Sequence, residues 1–113
     1  MTNNEHVHNT LCELLAKEIK KRWGYNRVTT NVEYYKSRNN VMGETDVHVI
    51  KDKREVYYEI KCRYTDKNYE KAIAQTIRWS KHMKKKYPNK NFYGVYHSPT
   101  KTSLLCKNGY KRK

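Results

Sequence analysis

Glycine and proline are scarce, four and two in 113 residues. A chain so poor in both is neither a flexible linker nor a loop-rich disulfide scaffold. Acids are scarce as well, 11 against 25 lysines and arginines, for a formal charge of +14. Cys12, Cys62 and Cys106 form no Cys-x-x-Cys pair, which excludes a zinc ribbon and argues against a disulfide framework. We expect all three as reduced core residues. No apolar run approaches the roughly 18 residues that span a bilayer. The opening Met-Thr-Asn-Asn-Glu-His lacks the basic and apolar regions of a signal peptide. An amphipathic basic helix with Leu or Trp anchors for a membrane surface is also missing. The expectation is a cytoplasmic protein with no membrane partner; a cellular, viral or mobile-element origin is left open.

Leu, Ile, Val and Phe together number only 19. With so high a charge, that count usually marks disorder. Here 11 tyrosines and two tryptophans add bulk, and the aliphatics recur at secondary-structure periods. The chain therefore reads as one folded domain over 1–107, its small aliphatic core completed by tyrosine, with a basic tail at 108–113. A charge of +14 repels itself unless a polyanion is the partner, so nucleic acid is the first partner to consider. A solvated lysine-rich surface looks the same by charge alone.

Residues 4–23 carry Val7, His8, Leu11, Cys12, Leu15, Ile19 and Trp23 at helical spacing, with Gly24 as a stop. Arg27 to Lys36 alternates, placing Val28, Thr30, Val32 and Tyr34 on one face of a strand. Ser37 to Gly43 reads as a turn. Thr45–Ile50 and Glu55–Arg63 form a hairpin pattern, and 68–87 a second helix ended by Pro88. Phe92–His97 is a further strand, and Ser103–Lys107 a short edge strand. The order is helix, three strands, helix, strand: an α/β domain with a central mixed sheet.

The most specific signal lies on the hairpin. With Asp52-Lys53 as a two-residue turn, His48 faces Tyr57, Asp46 faces Glu59 and Glu44 faces Lys61. Alternation then puts Glu44, Asp46, Glu59 and Lys61 on one side, together with His48 and Tyr57. Val47, Val49, Val56, Tyr58, Ile60 and Cys62 form a core face on the other. Two acids directly opposed at about 5 Å repel by on the order of 3 kcal/mol at an effective dielectric near 20. In a chain this poor in acids, such a pair asks for a cation, and two carboxylates suit Mg²⁺ or Mn²⁺. Carboxylates, a divalent ion and a lysine on a basic domain are the parts of phosphodiester hydrolysis. Read as separate fragments, the same residues are a turn cap and ordinary surface ion pairs.

Gly43-Glu-Thr-Asp46 followed by Glu59-Ile-Lys61 resembles the motif of the PD-(D/E)XK nuclease superfamily, with Thr45 in place of the usual proline. The order of elements over residues 4–97 is similar too, so the resemblance implies a restriction-endonuclease-like core. It further implies that Asp46, Glu59 and the Ile60 carbonyl hold Mg²⁺ or Mn²⁺, and that Lys61 assists the nucleophile or stabilises charge. Many members add an acid or histidine from the first helix. Archaeal Holliday-junction resolvases use a glutamate there and RecB-like nucleases a histidine. His8, within the apolar stripe, is the first candidate; Glu13 and, on the first strand, Glu33 are the others. Gln75 and Trp79 resemble the Gln-x-x-x-Tyr motif of RecB-like members, which implies a catalytic role for Gln75. Arg78, Trp79, His82, Lys85 and Lys86 then make a basic, partly aromatic stripe for a nucleic-acid backbone; as plain packing, Trp79 is peripheral core and Gln75 a solvated helix former.

The expectation is a metal-dependent DNA endonuclease directed by structure rather than sequence, with a homodimer as the expected assembly. The alternatives are an exonuclease, an RNA-directed nuclease, and a non-catalytic nucleic-acid-binding protein on the same fold.

Overall fold

The computed structural model describes residues 3–23 and 27–112. Along the chain lie α1 (Asn3–Trp23), β1 (Arg27–Ser37), β2 (Asn40–Lys51), β3 (Arg54–Ile60) and α2 (Asp66–Lys86), then β4 (Asn91–Ser98), β5 (Lys101–Lys107) and β6 (Tyr110–Lys111). The six strands form one mixed sheet in the order β1-β2-β3-β4-β5-β6. β3 and β4 are parallel, joined across α2, and every other neighbouring pair is antiparallel. No helix among the described residues is long and apolar enough to cross a membrane.

The α1 stripe buries Cys12, Leu15 and Ile19 against Val28, Val47, Val49 and Ile60, the aliphatic core read from alternation. Glu5 in its first turn and Lys20, Lys21 and Arg22 in its last complement the helix dipole. Gly24, the expected stop, lies outside the described residues. On the opposite sheet face α2 starts at Thr65, whose hydroxyl accepts the Asn68 N–H at 3.0 Å, and ends ahead of Pro88. Apart from Trp79, its buried residues are small. Ala72, Thr76 and Ser80 are fully buried, so the helix lies close over β4. A Cβ on Gly94 would stand 2.3 Å from Thr76 Cβ and 2.7 Å from Cys106 Sγ. Gly94→Ala should therefore force helix and strand apart and destabilise the fold by about 2–3 kcal/mol, measured by denaturant unfolding.

Three features depart from the sequence reading. The turn expected over Ser37–Gly43 is confined to two residues: β1 and β2 run to it, with Ser37 opposite Asn40. Within β1 the alternation does not hold, because Asn31 sits in the left-handed region (φ 54°). Val28 consequently joins the α1 core while Tyr34 packs on the α2 side with Tyr57, Trp79 and Phe92. Finally, Asn108 (φ 53°) and Gly109 (φ 89°) make a two-residue hairpin turn. Tyr110 pairs with Lys107 and Lys111 with Cys106, so the middle of the expected tail is a short sixth strand. The Gly109 N–H donates to Ser80 Oγ at 2.8 Å, which fixes the turn against α2.

Candidate active site

The β2–β3 turn falls at Asp52-Lys53, with Asp52 accepting φ 54°, and the ladder pairs His48 with Tyr57. It stops at Val47–Tyr58, one step short of the expected opposition of Asp46 and Glu59. At that point the Asp46 carboxylate replaces main-chain pairing: Oδ2 accepts the Ile60 N–H at 2.8 Å. On its other side β3 stays in register with β4, Glu59 facing Tyr96, and Lys61 N–H donates to the His97 carbonyl at 2.9 Å. The motif residues thus sit where β2 parts from β3.

His8 comes to the same place from α1. Its Nε2 lies 3.3 Å from Asp46 Oδ2, and its Nδ1 lies 3.9 Å from Cys12 Sγ one turn on. Lys61 Nζ is 3.5 Å from Glu59 Oε1, and the buried Tyr57 hydroxyl donates to Glu59 Oε2. Glu59 is buried, and this burial, followed by the Asp46 charge, pushes its carboxyl up to about 8, against the opposing pull of Lys61. Burial pushes the Cys12 thiol up to about 12, with the Asp46 and Glu59 charges adding to it. The site is rich in acid, and burial together with the nearby Asp46 charge opposes ionisation of Glu59.

Asp46, Ile60, Lys61 and His8 line a cleft of about 1210 Å³. Glu5, Asn9, Asn31, Glu44, Arg63 and Asn68 share its walls and were not singled out by motif, except Glu44 by its strand face. Glu5 stands three residues before His8 on α1 and Asn9 four residues after Glu5, so helical spacing was the signal available for them. Neither Glu13 nor Glu33 lines the cleft. Glu13 is exposed on α1, and Glu33 is exposed opposite Glu44 in the β1–β2 ladder. Among the described residues no group of three or more His, Cys, Asp or Glu side chains is arranged to hold a metal ion. Of the residues expected to hold an ion, Asp46 and Ile60 line the cleft, whereas Glu59 is 4% exposed and is not among its walls.

No family model matches the chain, and no curated protein matches it. Its chemistry rests on the geometry of these residues.

The remaining sequence candidates divide. Trp79 is no nucleic-acid contact: it is 1% exposed and meets His48, Tyr57 and Phe92 edge-on at 5.6–5.7 Å, as the centre of the α2-side core. Its size and apolar surface favour burial under a helix whose other inward residues are small. His48 and Tyr57 belong to that core too, so the hairpin's second face is covered by α2. His48 Nε2 lies 2.7 Å from Glu55 Oε1, and Lys90 Nζ 2.7 Å from Oε2. Burial raises the Glu55 carboxyl, but hydrogen bonds and charge from His48 and Lys90 outweigh it and hold the group below its ordinary value. Cys62 is exposed rather than core, because β3 ends at Ile60. Gln75 is half-buried, its Oε1 enclosed without a hydrogen-bond partner, and it does not line the cleft. Arg78, Lys85 and Lys86 are exposed on α2, away from the cleft walls, while His82 is half-buried beside the Tyr34 ring at 6.0 Å.

Proposed function

We propose that the protein is a divalent-metal-dependent DNA endonuclease that hydrolyses phosphodiester bonds and is directed by the structure of its substrate. The observation that supports it best is one small cluster: Asp46 held by the Ile60 N–H, buried Glu59 held up to about 8 by burial and Asp46, and Lys61 Nζ 3.5 Å away. A structural ion pair has no need of the second acid. A site for a cation does, because a bound Mg²⁺ or Mn²⁺ would let both carboxylates ionise. The order of elements and the mixed sheet are compatible with the restriction-endonuclease-like core implied by the motif.

In this reading Asp46, Glu59 and the Ile60 carbonyl would hold the ion. Such an ion, when bound, would supply Lewis acidity at the phosphoryl group and would lower the pKa of a water. His8 fixes the rotamer of Asp46, and the Tyr57 hydroxyl fixes that of Glu59. Lys61 lies beside Glu59 with its ammonium partly open to the cleft, placed to stabilise negative charge that grows on the phosphate oxygens. Arg78, Lys85 and Lys86 supply phosphate contacts that carry no sequence information, which suits recognition by shape.

The test is cleavage of plasmid, single-stranded, flapped and four-way-junction DNA with Mg²⁺, Mn²⁺ or chelator. Metal-dependent cutting with one preferred DNA structure is the expected result. Salt-sensitive binding to every substrate with no cutting under any metal would replace the nuclease with a nucleic-acid-binding protein.

A further inference from the structure

On the side of α2 next to β5 and β6, two hollows of about 350 and 580 Å³ share Leu104, Lys111 and Arg112 as walls and together outline a groove. It begins at Tyr69, the chain neighbour of Asn68 on the cleft wall. There Lys101 Nζ lies 4.6 Å from the Tyr69 ring and 4.8 Å from that of Tyr64, a cation already held on an aromatic surface. It ends at Tyr110, which is 80% exposed, with Leu104 (36%) between them. Lys107, Lys111 and Arg112 ring this end, and Glu70 is the one acid among the described lining residues.

Lys84 also touches the groove, but its ammonium donates to the Pro88 and Lys90 carbonyls at 2.8 and 2.7 Å and is committed there. Tyr110 itself is placed by a fixed turn, since the Asn108-Gly109 hairpin is tied to Ser80. An exposed ring held on a strand, with cations around it and an apolar floor, is the surface on which unpaired bases stack while phosphates meet the rim. A duplex offers no free base face to such a ring. Each hollow also has the size of a small-molecule pocket rather than of a double helix.

We propose that this groove holds a single-stranded DNA extension that leaves the catalytic cleft, with Tyr110 stacking on one base and Lys111 and Arg112 meeting its phosphates. The inference rests on the nuclease reading only in taking the cleft as the start of the path. Asn68 and Lys84 are sixteen residues apart on α2, about 24 Å at helical rise. At the roughly 3.4 Å rise of fully stacked bases that distance takes about seven nucleotides, and fewer for a more extended single strand.

The experiment measures binding by fluorescence anisotropy in chelator, where nothing is cut. The probes are a blunt 12-base-pair duplex, the same duplex with an eight-nucleotide DNA extension, and the same duplex with an RNA extension. Wild type should bind the DNA-extended duplex at least tenfold tighter than the blunt one. Tyr110→Ala should weaken binding of the extended duplex about tenfold and of the blunt duplex less than twofold, and Tyr110→Phe should restore it. Equal affinity for blunt and extended duplexes, or equal losses on both in Tyr110→Ala, would overturn the proposal. An RNA extension bound with the same Tyr110 dependence would overturn the assignment to DNA. Displacement of the extended duplex by poly-glutamate at equal charge concentration, lost in Tyr110→Ala, would assign the groove to an acidic peptide instead. Cutting of blunt duplex by wild type with Mn²⁺, run in parallel, reports on the catalytic reading alone.

Discussion

Lys61→Ala is expected to lower kcat for metal-dependent DNA cleavage by about 10²–10³-fold, with DNA affinity changed far less. The loss follows from withdrawing a charge that acts most strongly where negative charge develops in the transition state. Asp46→Asn should lose at least as much, because it removes a proposed ligand to the ion. Asparagine is the informative replacement there. Its carbonyl can still accept the Ile60 N–H that Asp46 Oδ2 accepts at 2.8 Å. Alanine would leave that donor unpaired at a cost of about 1–3 kcal/mol and confuse folding with catalysis. Single-turnover cleavage with unfolding curves for each variant separates the two effects. Activity retained within tenfold in both variants would remove this cleft from the reaction.

Glu59→Gln is expected to stabilise the metal-free protein at pH 8 and to leave it little changed at pH 5. The folded-state carboxyl is pushed up to about 8, above the ordinary value of 4.5, by burial first and then by the Asp46 charge. The native state therefore binds a proton that the unfolded state has lost. Stability conferred by that proton is complete below about pH 4.5 and is lost as pH rises towards 8. A difference of this size corresponds to on the order of 3–5 kcal/mol across the window. Glutamine keeps the shape and carries no charge, so its curve should be flat where the wild-type curve falls. Melting temperatures in chelator from pH 5 to 8 measure this. Adding Mn²⁺ at pH 8 should recover stability for the wild type and not for Glu59→Gln, since only a native state that binds the ion gains from it. A wild-type melting temperature that rises from pH 5 to 8 in chelator would contradict the assignment of the buried charge.

The hairpin was legible because its turn could be counted. Fixing two residues at Asp52-Lys53 sets the whole ladder, and the hydrophobic positions of β2 and β3 accept only that register. His8 was legible from its place in the α1 stripe, which directs it inward at the end of the helix. What escaped depended on backbone states that leave little trace in composition. Asn31 in the left-handed region ends the alternation of β1, yet one asparagine between Thr30 and Val32 gives no sign of it. The covering of both sheet faces was hidden for a related reason. His48, Glu55, Tyr57 and Glu59 look like a polar surface, and they are buried because they satisfy one another and Lys90 under α2. Trp79 was read against a motif when its neighbours Ala72, Thr76 and Ser80 already described a helix packed close to a sheet. The Asn108-Gly109 turn was present in the sequence as a hairpin signal, obscured by the basic residues that follow it.

Strand order that follows chain order has a kinetic meaning. β1, β2 and β3 form one meander and β4, β5 and β6 another, each closed by short turns, and the parallel seam between β3 and β4 is the single place where the sheet waits on a long crossover. Short turns close at little entropic cost, while the seam needs closure of the whole connection that carries α2. Refolding should therefore join two preformed halves along β3 and β4. The Lys61 N–H bond to His97 lies at the far end of that seam, so the backbone carrying the proposed catalytic lysine reaches its final register only when the halves meet.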